Sequence, residues 1–284
     1  MTSTLKEVSD QTDRLILDYC KGRNKTGSYD WSCGWALLGK QVAILTEISI
    51  FQDDDVLLVF DGMEGAGKSK LMRKIGGLIH QLLLLWGIKS TYSNDNIHFT
   101  VEEYIKKSMK EGKAGNKGFI NILDEARREL NRTASQSRDN RKFTDYLSEC
   151  RDMNQIHMVG LPSFHDLDKN IVLFRQRFIV HIKKSMVADP NTRTGQTLKR
   201  GKFVCYQRNR DLINSYFSKV RYTYPKKFVL NGIFDDKEPE EIDIKQYLKK
   251  KEKFRIEKFK KQREKDVGKR QAKAEFSNIE IPSF

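Results

Sequence analysis

The sequence lacks the cysteine patterns that build disulfide frameworks or zinc sites. Its 284 residues include Cys20, Cys33, Cys150 and Cys205, and these are scattered without a C-x-x-C pair or a metal-ligand spacing. Cys150 lies in a helical pattern and Cys205 in a strand pattern, so we expect both to be buried thiols. Isolated cysteines of this kind are typical of proteins in a reducing cytoplasm.

Long hydrophobic segments are also missing. The longest apolar run, residues 82–86, is far shorter than the roughly 20 residues that a helix needs to cross a bilayer. Residues 1–13 are polar and do not have the pattern of a signal sequence. We therefore expect no transmembrane segment and a cytoplasmic location.

Acidic residues are too few to balance the basic ones. Lys and Arg number 53 against 38 Asp and Glu, which gives a formal net charge of +15 and a pI near 9.5. This balance favours an anionic partner, nucleic acid first and an anionic membrane surface second. The alternative is that the basic residues only keep the protein soluble.

The sequence contains a phosphate-binding motif between a predicted strand and a predicted helix. The stretch GMEGAGKS fits G-x-x-x-x-G-K-[ST], and the apolar run before it, residues 56–60, predicts a buried parallel strand. We expect its backbone amides to hold the phosphates of ATP, Lys68 to reach the β and γ phosphates, and Ser69 to bind Mg²⁺. The predicted nucleotide-binding residues are Gly62, Met63, Glu64, Gly65, Ala66, Gly67, Lys68, Ser69 and Lys70.

A second acidic motif follows another predicted strand. In GFINILDEA, residues 118–126, an apolar run ends in Asp124 and Glu125. We expect this strand to lie beside the P-loop strand, where Asp124 can hold Mg²⁺ through water and Glu125 is placed to polarise the water that attacks the γ phosphate. The alternative for Asp124 is a helix N-cap.

Two families share parts of this pattern. The stretch FDGMEGAGKS resembles the P-loop of thymidylate kinase and the deoxynucleoside kinases over about twenty residues. Those kinases carry an Asp-Arg pair after the third strand and an Arg-rich lid. This chain has Asp124-Glu125 instead, which favours hydrolysis by water, so a nucleotide kinase remains the alternative.

The longer match begins at the acidic pair. From there to residue 182 the chain resembles the FtsK/HerA-type translocases, a group that includes viral genome-packaging ATPases. The segment IHMVGLPS, residues 156–163, and the returning segment RFIV, residues 177–180, carry the likeness. The resemblance implies a RecA-like (ASCE) ATPase. The family's sensor Gln falls at Gly160 or Leu161, so Ser163, or otherwise His165, would have to replace it.

The same resemblance implies a ring of identical subunits. In such rings an Arg of one subunit reaches the γ phosphate of its neighbour, and Arg151 and Arg177 match the relevant positions, with Arg175 as a third possibility. For a viral or mobile-element protein, it also implies a portal or capsid protein as a partner and a location in the host cytoplasm or the virion. A further basic cluster follows the acidic strand (Arg127, Arg128, Arg132, Arg138 and Arg141).

The predicted organisation is an α/β fold, with a mainly parallel sheet flanked by helices and a basic C-terminal extension. We expect an N-terminal arm (1–30), a P-loop ATPase domain (31–185), a β-rich edge subdomain (186–234) and a basic helical or disordered tail (235–284). Residues 245–273 hold 14 basic and 4 acidic residues, so this tail can bind phosphates without reading sequence.

Together these features predict Mg²⁺-dependent ATP hydrolysis coupled to translocation or packaging of nucleic acid, DNA before RNA. Two alternatives stay open from the sequence. One is the nucleotide kinase. The other is a non-motor ATPase that acts in virion assembly or phage secretion.

Overall fold

The computed structural model describes residues 5–20, 33–124, 130, 138–188, 191, 193, 196–218, 224–235 and 237–277. The chain divides into two compact units, Met1–Ile242 and Asp243–Phe284. The helices of the first unit are α1 Leu5–Tyr19, α2 Gly34–Phe51, α3 Lys68–Leu85, α4 Val101–Lys113, α5 Arg138–Glu149 and α6 Arg210–Phe217. Its strands are β1 Val56–Asp61, β2 Ile97–His98, β3 Ile120–Leu123, β4 Ile156–Gly160, β5 Gln176–Ala188, β6 Gln196–Gln207 and β7 Leu230–Ile233.

The strands form one seven-stranded sheet in the order β2-β3-β4-β1-β5-β6-β7. The first five strands in this order are parallel, and β6 and β7 add antiparallel strands at one edge. The predicted α/β class with a mainly parallel sheet is confirmed. One expectation was wrong: β3, which carries Asp124 at its end, does not lie beside β1, because β4 pairs with both.

Helices cover both faces of the parallel strands, which explains why β1 is apolar at nearly every position. On one face, Leu57 and Val59 pack into a buried cluster with residues of α4 and α5. On the other face α3 packs against β1, β3 and β4, and α1 and α2 pack against α3. All six residues of β1 are buried, as expected for a strand in the middle of such a sheet.

The N-terminal region is more firmly attached than an arm. Helix α1, Leu5–Tyr19, lies within the residues that the sequence predicts as an arm. Its residues Ile16 and Leu17 are buried, and the Tyr19 hydroxyl donates a hydrogen bond to the Lys74 carbonyl oxygen in α3 at 2.7 Å. The apolar spacing of α1 thus provides a face that packs on the P-loop helix.

The stretch predicted as an edge subdomain belongs to the same sheet. Strand β5 runs past the end of β1 and pairs with β6 from Phe178↔Gln207 to Ala188↔Gln196. Strand β7 extends only to the pair Lys202↔Ile233. Beyond that pair, β5 and β6 continue as a two-stranded antiparallel ribbon, residues 183–188 and 196–202. We call this segment the basic ribbon.

The region after β7 differs from the predicted tail. Residues 237–242, which the sequence groups with the tail, belong to the first unit and contact α3. In the second unit, Ile244–Ser277 forms one long helix, α7, of 34 residues. Among the residues described, no helix is long and apolar enough to cross a membrane.

Candidate nucleotide-binding site

The turn from β1 into the P-loop requires glycine. Gly62 follows Asp61 with φ +134°, and a Cβ placed there would lie 2.1 Å from the carbonyl oxygen of Ile182 in β5. Its amide donates a hydrogen bond to the Pro162 carbonyl oxygen at 3.1 Å, just after β4. The start of the loop is therefore held between the extensions of both strands that neighbour β1.

Two more glycines shape the loop. Gly65 and Gly67 have φ of +71° and +111°, a region that disfavours side chains. A Cβ on Gly65 would lie 3.3 Å from Nζ of Lys184, and one on Gly67 would lie 3.1 Å from Cζ of Phe234. The loop leads directly into α3, whose N-terminus favours negative charge at this point.

Lys68 lies folded over its own loop. Its Nζ donates hydrogen bonds to the carbonyl oxygens of Gly62 at 2.5 Å and Met63 at 3.0 Å. The ammonium group therefore lies at the mouth of the loop, on a long flexible stem that can turn toward a bound phosphate. This is the position that the motif predicts for a phosphate-binding lysine.

The hydroxyl and carboxylate predicted for the metal meet in the structure. Ser69 Oγ in the first turn of α3 donates a hydrogen bond to Asp124 Oδ1 at 2.8 Å. The two residues meet although β4 lies between β1, which leads into the P-loop, and β3, which leads to Asp124. The Asp124 side chain is buried, with 2% exposure, and its amide donates to the His98 carbonyl oxygen at 2.8 Å. The glycine loop between β1 and α3 and the Ser69–Asp124 contact form the arrangement of a P-loop nucleotide-binding fold.

Gly160 at the end of β4 leaves space beside this pair. A Cβ built on Gly160 would lie 2.7 Å from Cε of Met72 and 3.6 Å from Asp124 Oδ1. A larger residue there would displace Met72 or crowd the carboxylate. Gly160, one of the two positions at which the resemblance puts a sensor Gln, thus lies near Asp124 and carries no side chain.

Comparison with known proteins found only distant similarity, to solved structures. No protein-family model matches the chain, and no curated protein matches it at a significant level. The genome-packaging NTPase of Sulfolobus turreted icosahedral virus 2, solved with ATPγS, is 17% identical, with 56% of this chain and 94% of that chain covered and a TM-score of 0.35.

Two further solved structures are similar at the same level. The N-terminal domain of zonular occludens toxin from Neisseria meningitidis is 17% identical, with 61% of this chain and 96% of that chain covered and a TM-score of 0.35. A KaiC-like protein from Pyrococcus horikoshii is 12% identical, with 64% and 90% covered and a TM-score of 0.29.

The predicted catalytic residues are not all brought to the loop. Glu125 and the arginines 127, 128 and 132 lie outside the described residues. Arg151 and Arg177 both pair with Asp54, and Arg175 pairs with Asp55. Asp54 and Asp55 precede β1, whereas the P-loop follows it. A six-residue strand spans about 20 Å, so these arginines are far from the P-loop of their own chain.

A buried polar cluster next to the P-loop was missed in the sequence. Asp61, the last residue of β1, is fully buried and accepts hydrogen bonds from the Tyr224 hydroxyl and from the Phe164 amide at 2.9 Å. His181 Nδ1 lies 3.0 Å from Asp61 Oδ1. Burial and the Asp61 charge raise the pKa of Tyr224, so its phenol remains a donor. The sequence feature that could have indicated this cluster is Asp61 itself, a charged residue at the end of an apolar strand and directly before the first P-loop glycine.

The candidate sensor residues lie close to this cluster. Ser163 caps a short 3₁₀ helix, residues Phe164–Asp166, by accepting a hydrogen bond from the His165 amide at 3.3 Å. The His165 ring lies parallel to the Tyr216 ring, with 6.1 Å between the ring centroids, and meets the Tyr224 ring edge to face. Both residues therefore lie just after the end of β4, and His165 contacts the same Tyr224 that donates to Asp61.

The residues present fit a magnesium-bound nucleotide triphosphate. Three glycines with positive φ form a cradle that side chains would fill, and a lysine ammonium lies over it. A hydroxyl and a carboxylate oxygen 2.8 Å apart match the oxygen ligands that Mg²⁺ prefers. The site can thus neutralise phosphate charge from the loop, the helix terminus, Lys68 and a metal held by Ser69 and Asp124.

Proposed function

We propose that the protein is a Mg²⁺-dependent ATPase that moves or packages nucleic acid as a ring of identical subunits. The observation that carries the ATPase part is the hydrogen bond between Ser69 and Asp124 at the mouth of the P-loop. Bound Mg²⁺ would draw charge from the β and γ phosphates during cleavage. Ser69 and Asp124 orient that site, and the loop amides and Lys68 bind the phosphates.

Water activation is assigned to Glu125. In the sequence it directly follows Asp124, the buried carboxylate that contacts Ser69. A carboxylate at this point accepts a proton from a water that attacks in line. Ser163 or His165, just after the end of β4, is proposed to orient that water or the γ phosphate in place of the family's Gln.

The arginine that completes the site is proposed to come from a neighbour. Arg151 and Arg177 lie at the opposite end of β1 from their own P-loop, so within one chain they cannot contact the γ phosphate. Their side chains are 65% and 41% exposed, which leaves them accessible to a second subunit. This placement suits a finger supplied across a subunit interface.

The nucleic-acid surface is proposed to include the basic ribbon. The ribbon and the residues that connect its two strands, 183–202 in all, contain six basic residues and one acidic residue, Asp189. The basic ones are Lys183, Lys184, Arg193, Lys199, Arg200 and Lys202. Lys183 and Lys202 are exposed and directly opposite each other in the ladder. Like charges at such positions repel, so an anionic partner would relieve this repulsion.

The basic ribbon starts two residues after the part of β5 that pairs with the end of β1. Asp61, the residue before the P-loop, pairs with His181, and Lys184 three residues later lies over Gly65. A movement of the P-loop on nucleotide binding or release would therefore reach the ribbon through one short strand segment. We propose this segment as the link between hydrolysis and the polymer.

One assay tests the function. Phosphate release should require Mg²⁺ and increase when DNA is added, whereas chromatography of the products should show no transfer of phosphate to a nucleoside monophosphate. Transfer to a monophosphate would establish the kinase instead. Hydrolysis that is the same with and without nucleic acid would favour the role in virion assembly or phage secretion.

Glu125→Gln tests the proposed base. The variant should bind a fluorescent ATP analogue with unchanged affinity, because the amide keeps the shape of the carboxylate. Its turnover should fall by at least about 10²-fold, since positioned general bases contribute about 10²–10⁴-fold. Turnover that persists near the wild-type rate would show that another group activates the water.

A further inference from the structure

Three metal-binding side chains converge at the end of the sheet opposite the P-loop. Asp55 precedes β1, Cys150 follows α5, and His157 lies in β4, so three separate segments contribute one group each. Among the described residues, these are the ones whose ligand atoms cluster closely enough to hold a metal ion. All three side chains are buried.

The spacing of the three ligand atoms fits one small cation. Cys150 Sγ lies 3.8 Å from Asp55 Oδ2 and 3.6 Å from His157 Nε2, and Nε2 lies 4.0 Å from Oδ2. A point equidistant from these three atoms is about 2.2 Å from each, which matches Zn–S, Zn–N and Zn–O bonds of about 2.0–2.3 Å. The three protein atoms can thus reach one zinc ion in their common plane, and a fourth ligand would draw the ion out of that plane with a small shift of the side chains.

The surroundings hold the ligands in orientation. Tyr104 Oη lies 2.5 Å from His157 Nδ1, which directs Nε2 of the same ring toward Cys150 and Asp55. Arg175 donates a hydrogen bond to Asp55 Oδ2. Hydrogen bonds from outer residues to a ligating imidazole and carboxylate are the usual support of metal ligands in proteins.

The chemistry of the donors also suits a soft divalent cation. His157 Nδ1 faces Tyr104 Oη, so Nε2 on the other side of the ring can supply a lone pair to a cation. Binding through the Cys150 sulfur would release the thiol proton to solvent. Mixed sulfur, nitrogen and oxygen donors select zinc over Mg²⁺ or Ca²⁺.

We propose that Asp55, Cys150 and His157 bind a structural Zn²⁺ that ties the entry of β1, the end of α5 and strand β4 together. The site lies away from the P-loop and is independent of the proposed ATPase function. The competing arrangement uses the same atoms without metal: the thiol donates to Asp55 and to the Leu147 carbonyl oxygen, both at 3.8 Å. The 3.6 Å between Cys150 Sγ and His157 Nε2 also allows a hydrogen bond, so the metal content of the protein distinguishes the two arrangements.

Metal content is the direct test. The full-length chain, produced with zinc in the medium and dialysed against excess Mg²⁺, should retain about one Zn²⁺ per chain by mass spectrometry of the metal. His157→Asn should lose it. Cys205→Ser, which removes a buried thiol in β6, and Asp124→Asn, which alters the nucleotide site, should both keep it.

Cobalt adds a test that is read from the wild-type protein itself. Exchange of wild-type protein into Co²⁺ should produce a thiolate-to-cobalt charge-transfer band, and Cys150→Ser should abolish that band while the protein keeps the far-ultraviolet circular dichroism of the wild type. Wild-type protein that binds neither ion, or a Cys150→Ser variant that keeps the thiolate band, would overturn the proposal and leave a hydrogen-bonded cluster.

Discussion

At the scale of single residues, the nucleotide-binding site depends on glycines that leave room as much as on side chains that bind. Gly62 turns the chain beneath the carbonyl oxygen of Ile182, and Gly160 leaves space beside Asp124. Ser69 and Asp124 then meet from separate elements at 2.8 Å. Small residues at these points allow backbone, hydroxyl and carboxylate to approach a common position.

Gly62→Ala should destabilise the protein far more than Gly87→Ala, although both glycines have a positive φ. The new Cβ would meet Ile182 at 2.1 Å on a backbone with φ +134°, so we expect a loss of about 3 kcal/mol in the free energy of unfolding. Gly87→Ala is the matched control: it has φ +74° and nothing within 4 Å, and should cost about 1 kcal/mol. Urea unfolding measures both, and equal losses would contradict the close approach.

At the scale of elements, the P-loop helix is held by a segment that follows the sheet. We call residues 234–242 the strap. Arg73 of α3 donates two hydrogen bonds to Glu238, at 2.7 and 3.0 Å, and Lys74 donates to Asp235 at 2.6 Å. Phe234 lies against Gly67. The strap thus fixes the first turns of the helix that carries Lys68 and Ser69.

Glu238→Gln should weaken this attachment. It leaves the largely buried Arg73 guanidinium without its carboxylate, and because the Glu238 side chain is 23% exposed we expect a loss of about 2 kcal/mol, below the full cost of a buried pair. Glu240→Gln removes an exposed pair with Lys237 and should change stability by less than about 0.5 kcal/mol. Similar values for both variants in urea unfolding would argue against the strap.

The basic ribbon is the second element with a testable role. The logarithm of DNA affinity should fall linearly with the logarithm of the salt concentration. In Arg200→Ala/Lys202→Ala the magnitude of this slope should be smaller by about two, one for each phosphate that the variant no longer neutralises. Basal phosphate release should be unchanged. The control pair Lys107→Ala/Lys117→Ala, in α4 and the loop before β3, should leave the slope as it is; an equal change there would mean that only total charge matters.

At the scale of the whole molecule, the chain combines a nucleotide site that its own Arg151 and Arg177 do not reach with a second, strongly basic unit. Residues 245–273 of that unit carry 14 basic and 4 acidic residues in one long helix. A ring would supply a neighbour's arginine for hydrolysis and would place several basic segments around one polymer.

Mixing of inactive subunits tests the shared site. Arg177→Ala and Lys68→Ala chains should each be inactive alone, whereas a mixture should regain part of the turnover, because some interfaces then combine an intact P-loop with an intact Arg177. Asp54→Asn, which breaks the same ion pair but keeps the arginine, controls for destabilisation. A mixture without activity, or an active Arg177→Ala chain, would exclude this finger; Arg151→Ala is tested in the same way.

Much of this architecture could be predicted from local patterns. The apolar run before Gly62, the glycine spacing of the loop and the strand that ends at Asp124 are short-range features, because buried parallel strands and phosphate loops depend on neighbouring residues. The position of β3 could not be predicted, since strand order depends on pairing between residues far apart in sequence. Here β4 inserts between β3 and β1, which no local pattern records.

The same distinction separates what the sequence determined from what tertiary structure decided. The sequence alone determined the P-loop, the acidic pair, the α/β class and the excess of basic charge, because each depends on residue type and spacing along the chain. Tertiary structure decided that Ser69 meets Asp124, that Arg151 and Arg177 pair with Asp54 away from the loop, and that Asp55, Cys150 and His157 converge. Those contacts join residues that are distant in sequence, and only the packing of the sheet brings them within a few ångströms.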